Sequence, residues 1–147
     1  LQMKNHIIAL ERKEKKEAEK GKEQKEEEKK KLESIKMIAE NRINSILNRV
    51  SNLNESMLLL KNNLITKQKN YKNSPNKISL IDNTMKKLHY AEILIFRLNT
   101  DISIVQDILT SRLFDFDLAN ELESKLDKLE KSMEYLENYI KQLKEEI

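Results

Sequence analysis

The sequence predicts an all-α protein, an elongated up-down-up three-helix antiparallel bundle with a long, charged N-terminal helical extension. Three observations lead to this prediction. Apolar residues recur at alternating spacings of three and four in three long stretches, which places each set on one side of a helix. The chain of 147 residues contains one glycine and one proline, so it has few turn-forming residues. Charged residues make up 36% of the chain and cysteine is absent, so neither disulfides nor thiolate metal sites are expected.

Residues 1–31 are the predicted charged stalk, and residues 32–147 are the predicted bundle. From Glu11 to Lys31 the chain is almost entirely Lys and Glu, with pairs four residues apart that each stabilise a helix by about 0.2–0.5 kcal/mol. We expect a solvated helical spacer here. Gly21 is the expected point of any bend, because glycine costs about 1 kcal/mol within a helix. A small apolar group precedes the spacer: Leu1, Met3, Ile7, Ile8 and Leu10.

The first bundle helix is predicted at about residues 32–71. Its apolar stripe has spacings of 3, 4, 3, 4, 3 and 4 and consists of Ile43, Ile46, Val50, Leu53, Met57, Leu60 and Leu64. A stripe of this length needs cover from other helices. If the stalk continues this helix without a break, residues 1–71 span roughly 105 Å.

The second helix is predicted at about residues 76–110, after a polar connection that contains Pro75. Proline ends one helix and suits the first turn of the next. The stripe of this helix consists of Ile78, Ile81, Met85, Leu88, Ala91, Ile95, Leu98, Ile102, Val105 and Leu109. Residues Ile93 to Phe96 are consecutive apolar residues, and we expect this to be the most enclosed part of the bundle.

The third helix is predicted at about residues 117–146, with Asp115 and Asp117 as candidate N-caps. Its stripe consists of Leu118, Leu122, Leu126, Leu129, Met133, Leu136, Ile140, Leu143 and Ile147. Short connections make the first and third helices parallel. Residues 32–77 carry 8 basic and 3 acidic side chains, whereas residues 115–147 carry 5 and 10. We therefore expect the flanks of the first and third helices to attract each other.

Two sets of residues have the composition of a partner-binding surface. Arg112, Phe114 and Phe116 lie in the second connection, where aromatic and arginine side chains resemble an interface hot spot. The alternative, which we favour, is that the phenylalanines close the end of the core while the aspartates cap the third helix. The second set consists of basic residues that we expect on the outer face of the first helix: Arg42, Arg49, Lys61, Lys67 and Lys69. The alternative, which we favour, is that these residues form only a solvated surface.

The sequence contains no pattern of catalytic, cofactor-binding or metal-binding residues, so we expect no enzyme and no cofactor. The histidines His6 and His89 are far apart and have no ligand at metal-binding spacing. The net charge of +3 is too small to indicate nucleic-acid binding. The longest apolar runs, of which Ile93 to Phe96 is one, are too short for a membrane span. Because the chain begins at Leu1, we expect a fragment of a longer protein whose signal peptide, anchor or preceding domain lies upstream.

The Lys/Glu spacer from Glu11 to Lys31, ending in Lys-Lys-Lys-Leu-Glu, leads into a cysteine-free region rich in Ile, Asn, Lys and Leu. This combination of a charged spacer and a biased composition resembles the C-terminal helical regions of the OspE/F-related (Erp) outer-surface lipoproteins of Lyme-disease spirochaetes. Among these lipoproteins it is most similar to the Elp subgroup. The resemblance implies a lipid-anchored module on the outer surface of the cell. It also implies the host complement proteases C1r and C1s as partners, with inhibition of the classical pathway. No contact residue is carried over from the family.

Two alternatives remain open at this point. A similar composition occurs in surface adhesins that bind factor H or fibronectin, so these two proteins are the alternative host partners. A structural coiled-coil or scaffold module is the other alternative, in which residues 1–10 pair with a second copy of the chain. We therefore expect either a monomer or weak self-association through that segment.

Overall fold

The computed structural model describes the backbone of residues 2–147 and the side chains of residues 5–147. This part of the chain forms three α-helices: α1 (Gln2–Asn70), α2 (Pro75–Leu109) and α3 (Phe116–Glu145). Each helix packs against the other two. The contacts between them make α1 and α3 parallel and α2 antiparallel to both, so the predicted all-α up-down-up bundle with a helical N-terminal extension is confirmed. Leu1 and Met3 of the predicted apolar group lie outside the described side chains.

The N-terminal part of α1 extends as a charged helix without tertiary cover. Every side chain from Asn5 to Lys31 is exposed. The helix continues through Gly21, whose φ is not positive, and a Cβ built there would meet no atom within 4 Å. Since the 69 residues of α1 correspond to roughly 104 Å, the extension adds considerably to the length of the molecule.

The two connections, residues 71–74 and 110–115, are short and locally stabilised. Pro75 is the first residue of α2, where its missing N–H leaves no hydrogen bond unmade. The carboxylate of Asp115 accepts a hydrogen bond from the Leu118 N–H at 2.9 Å, which caps the N-terminus of α3. The end of α1 and both ends of α2 and α3 lie within one residue of the predicted positions, whereas α1 begins at Gln2 because the extension continues it.

The core is one continuous cluster to which all three helices contribute their apolar stripes. It extends along α1 from Ala39 to Leu64, and it includes the side chains from Ile81 to Leu109 on α2 and from Leu122 to Leu143 on α3. Thr84 is the buried polar residue among the described side chains. Its hydroxyl donates to the Leu80 carbonyl at 3.0 Å, so its burial leaves no unpaired donor.

The prediction that Ile93 to Phe96 is the most enclosed part of the bundle is wrong. Ile95 is 6% exposed, but Ile93 is 41% exposed and Phe96 is 74% exposed. Successive residues of an α-helix point about 100° apart, so four consecutive side chains cannot all face one core. A bundle of three helices also leaves the outer side of α2 without cover.

Two neighbouring substitutions test this placement. Ile95→Ala removes buried methyl groups and leaves a cavity, and we expect the free energy of unfolding to fall by about 2–5 kcal/mol. Phe96→Ala removes a larger side chain from the surface, and we expect a change within about 0.5 kcal/mol. Urea unfolding followed by far-ultraviolet circular dichroism measures both values. Equal losses for the two variants would contradict the assignment of Phe96 to the surface.

Candidate functional site

Arg42 and Arg49 lie at the boundary between α1 and α3. The Nε atom of Arg42 donates to Glu130 Oε1 at 2.6 Å, and its Nη2 atom donates to Asp127 Oδ1 at 2.7 Å. Arg49 donates from both Nε and Nη2 to the carboxylate of Glu137. The prediction that these arginines lie on a free outer face of the first helix is therefore wrong, because their guanidinium groups hold α3 against α1.

These contacts recur at the heptad spacing. Three pairs of hydrogen-bonded residues are each separated by 88 positions in the sequence: Arg42 with Glu130, Arg49 with Glu137, and Ser56 with Lys144. A constant separation means that α1 and α3 keep one axial register along this part of the bundle. The expected attraction between the basic first helix and the acidic third helix is thus made by specific pairs on one flank of each.

The hydrogen bonds also stabilise the charged form of both arginines. The bond to Glu130 raises the pKa of Arg42 above its ordinary value, against the opposing effect of partial burial. The bond to Glu137 raises the pKa of Arg49 in the same way. Both guanidinium groups therefore remain protonated at neutral pH and can keep donating to the carboxylates of α3.

The second connection places its aromatic residues in different surroundings. Phe114 is half-buried against the core, and the Lys36 Nζ atom lies 4.8 Å from the centre of its ring. Phe116 is exposed at the first turn of α3, and Leu113 is 82% exposed. Arg112 is exposed and forms no ion pair with any side chain between residues 5 and 147. The connection thus closes the end of the core with Phe114 alone, and a partner-binding role for Arg112, Phe114 and Phe116 stays a prediction.

The three lysines of the predicted basic face are also separated from one another. Lys61 Nζ lies 3.7 Å from Glu92 Oε1 on α2, and Lys67 Nζ donates to the carbonyl oxygen of Ile147 at 3.2 Å. Lys69 is exposed near the end of α1. Because these residues turn toward different neighbours, the five cations do not form one basic surface.

Exposed apolar residues of α1 and α2 form a different surface, which the sequence pattern did not predict. We call it the α1–α2 face and define it by Leu47, Leu58 and Ile65 of α1 with Ile93 and Phe96 of α2. All five side chains are exposed, with Leu58 at 60% and Phe96 at 74%. Leu58, Ile65 and Phe96 adjoin the boundary between the two helices, as their register with respect to one ion pair shows.

That ion pair joins Lys61 of α1 to Glu92 of α2. Leu58 and Ile65 lie three residues before and four residues after Lys61, so they share its side of α1. Phe96 lies four residues after Glu92 and shares its side of α2. Because the two helices are antiparallel, a residue N-terminal to Lys61 on α1 lies at the same height along the bundle as a residue C-terminal to Glu92 on α2. Leu58 and Phe96 therefore flank the same stretch of the boundary.

The α1 side of the α1–α2 face is also poor in charge. Between Ile43 and Thr66 the charged residues are Arg49, Glu55 and Lys61, in a protein of which 36% is charged. Arg49 is held by α3 and Lys61 by Glu92, which leaves Glu55 as the unpaired charge of this stretch among the described side chains. Surfaces depleted of charge and enriched in large apolar residues are typical of the centre of protein–protein interfaces.

One signal in the sequence could have revealed this face. Met57 to Leu60 is a run of four apolar residues, but the heptad stripe of the first helix includes only Met57 and Leu60. Leu58 and Leu59 therefore had to lie outside the core or against another helix, and the structure leaves both exposed.

The described residues show neither a grouped set of metal ligands nor a membrane-spanning helix. Between residues 5 and 147 no three His, Cys, Asp or Glu side chains are grouped so that they could hold a metal ion. His89 is exposed, with Nδ1 lying 3.7 Å from Glu92 Oε2. None of the described helices combines the length and the apolar character needed to cross a bilayer. The surfaces of the bundle are therefore the features from which a function can be inferred.

A double-mutant cycle tests the contacts between α1 and α3. Arg49→Gln and Glu137→Gln each remove one side of a partly exposed ion pair, and we expect a coupling free energy of about 0.5 kcal/mol between them at low salt. This coupling should fall in about 1 M sodium chloride, because the Debye length is then only about 3 Å. Chemical unfolding gives the four stabilities. Arg97→Gln with Glu137→Gln is the control and should show no coupling, whereas an uncoupled Arg49–Glu137 cycle at low salt would contradict the role of this pair.

Comparison of the chain with models of known families, with curated proteins and with solved structures finds no match. The resemblance to the OspE/F-related lipoproteins therefore stays a prediction.

Proposed function

We propose that this chain is a non-enzymatic module that binds another protein through the α1–α2 face. The observation that supports the proposal is the exposure of Leu58, Ile65 and Phe96 beside the boundary between α1 and α2, along a stretch of α1 that is poor in charge. Large apolar side chains that contribute nothing to the core lower solubility, and grouped ones most often mark a binding site. The α1–α2 face lies on two long helices that share one packed core, so a partner would meet a preformed surface. Binding would therefore cost little conformational entropy.

For the partner, we propose a host complement protease, C1r or C1s. This identity rests on the resemblance to the Erp lipoproteins and not on any contact residue. In this proposal the module binds the protease and blocks its activation or its access to substrate, which inhibits the classical pathway without any chemistry by the module itself. A surface adhesin for factor H or fibronectin would use the same face.

The charged extension fits this role as a spacer. Residues 2–31 of α1 correspond to roughly 45 Å of helix at 1.5 Å per residue. Their exposed Lys and Glu side chains keep the extension hydrated. In the proposed protein the extension holds the bundle away from the outer surface of the cell, to which the resemblance implies an upstream lipid anchor.

Surface plasmon resonance against immobilised C1r, C1s, factor H and fibronectin tests the proposal. We expect binding to C1r or C1s, and we expect Leu58→Asp with Phe96→Asp to weaken it at least about 100-fold, because each change places a charge in the centre of an apolar interface. Both positions are exposed, so the fold should survive, and circular dichroism checks this.

The matched control is Leu113→Asp with Ile38→Asp, which adds the same charge at exposed apolar positions away from the α1–α2 face, since Ile38 lies beside α3. This variant should bind as the original chain does. Binding that is lost equally in both variants would remove the α1–α2 face from the proposal. Absence of binding to all four proteins would refute the proposed partners.

A second candidate function, a scaffold that associates with a second copy of itself, is favoured by the N-terminal segment. Ile7, Ile8 and Leu10 are exposed at the far end of the extension, where no other helix covers them. Light scattering at micromolar concentration should then give a mass above that of the monomer, and Ile7→Asn with Leu10→Asn should restore the monomer. A monomer for the original chain at the same concentration would exclude this function, and it would leave the binding proposal intact.

A further inference from the structure

The groove between α2 and α3 has the features of a second binding surface, separate from the α1–α2 face. Two cavities of about 450 Å³ and 150 Å³ lie between these helices, and both are lined by Asp101 and Ser132. They therefore form one continuous groove from Tyr90 to Ile104 on α2. We call this the α2–α3 groove.

One end of the α2–α3 groove is aromatic. Three of the four tyrosines of the chain meet there, although Tyr90 is far in sequence from Tyr135 and Tyr139. The ring centres of Tyr90 and Tyr139 are 6.0 Å apart at an interplanar angle of 66°, and those of Tyr135 and Tyr139 are 6.1 Å apart at 24°. These are favourable edge-on and stacked arrangements, which hold the rings in place.

Tyr139 anchors this aromatic cluster, and the other two rings are open to solvent. The Tyr139 hydroxyl donates to the carbonyl oxygen of Lys87 at 3.3 Å, and burial raises the pKa of its phenol above the ordinary value, so the hydroxyl remains a donor at neutral pH. Tyr90 and Tyr135 are both exposed. Tyrosine in such a position offers a large contact area at little cost in side-chain entropy.

The wall and rim of the α2–α3 groove carry positive charge. Arg97 of α2 and Lys125, Lys128 and Lys131 of α3 line it. Lys125 lies 3.9 Å from Glu121 on its own helix, but Arg97, Lys128 and Lys131 form no ion pair with any other described side chain.

The cations of the groove result from a division of charge on α3. The acidic side chains of this helix that contact α1 are Asp127, Glu130 and Glu137. Its lysines Lys125 and Lys128 lie on the opposite flank, which faces α2. An acidic helix therefore presents a basic edge to the groove, and this edge is left free to bind an anionic partner.

We infer that the α2–α3 groove binds an acidic segment of another protein, with carboxylates of that segment at Arg97, Lys128 and Lys131 and an apolar side chain against Tyr90 and Tyr135. Tyrosine and arginine are the residues most enriched in interface hot spots. Asp101 lies in the middle of the groove and repels an anion placed next to it. A polymer with a negative charge at every position would meet this repulsion, whereas a peptide can place an uncharged residue there.

The dimensions of the groove define a probe. The distance along α2 from Tyr90 to Ile104 is roughly 21 Å, which an extended peptide covers with about six or seven residues. A fluorescein-labelled peptide of the sequence Glu-Tyr-Glu-Leu, repeated twice, is long enough to fill it. Fluorescence anisotropy with the full chain should show saturable binding that weakens as sodium chloride is added.

The variants separate the groove from the overall charge of the protein. Lys128→Glu with Lys131→Glu should weaken binding of the probe at least about tenfold. Lys72→Glu with Lys141→Glu makes the same change of net charge at exposed positions outside the groove, and its effect should stay within about twofold. Tyr135→Ala should weaken binding about fivefold, whereas Tyr71→Ala should have no effect.

Three results would overturn the inference. They are no saturable binding of the probe, equal losses in the two charge-reversal variants, and equally tight binding of a heparin hexasaccharide or of single-stranded DNA at the same salt. The last result would indicate a general site for polyanions. Leu58→Asp with Phe96→Asp should leave binding of the probe unchanged, so failure of the α2–α3 groove and failure of the α1–α2 face are distinguished.

Discussion

The burial of three apolar stripes against one another is the constraint on which this protein depends. With one glycine, one proline and no cysteine, the chain has no crosslink and almost no tight turns to hold it together. Its polar interactions between helices lie at the edge of the core and are partly exposed, so each contributes little. Removal of apolar surface from water therefore supplies most of the stability, and the residues outside the stripes are free to serve other purposes.

The charge pairs between α1 and α3 determine the axial register of the helices more than they stabilise the fold. An apolar stripe with a heptad repeat packs almost equally well after a shift of seven residues, so burial alone leaves the register ambiguous. Arg42 and Arg49 meet Glu130 and Glu137 with the same separation along the chain, and a shift that brought Glu137 to Arg42 would place Lys144 opposite Arg49. The same pairs use up the acidic flank of α3, which is why the lysines on its other flank remain available to α2 and to solvent.

The sequence predicted the fold well because helix formation and the choice of core side depend on local spacing. The three stripes, the break at Pro75 and the cap at Asp115 can each be recognised within one helical turn or a few. The surfaces could not be predicted in the same way. Whether Arg42 lies on an outer face or against α3 depends on the rotation of two helices, and the meeting of Tyr90 with Tyr139 depends on their axial register. The error at Phe96 arose because an apolar run does not reveal how many helices surround it.

The residues that stabilise the fold and the residues that form the two exposed surfaces are largely different. Leu58 and Phe96 are next to core residues in the sequence, yet they contribute little to the core, so the fold does not require them to be apolar. The same holds for Tyr90 and Tyr135, whose exposed rings could be replaced by charged side chains like those of their neighbours. In a protein of which 36% is charged, exposed aromatic and leucine side chains lower solubility without stabilising the fold. Their grouping on two flanks of one rigid bundle is better explained by contacts with other molecules than by the requirements of the bundle itself.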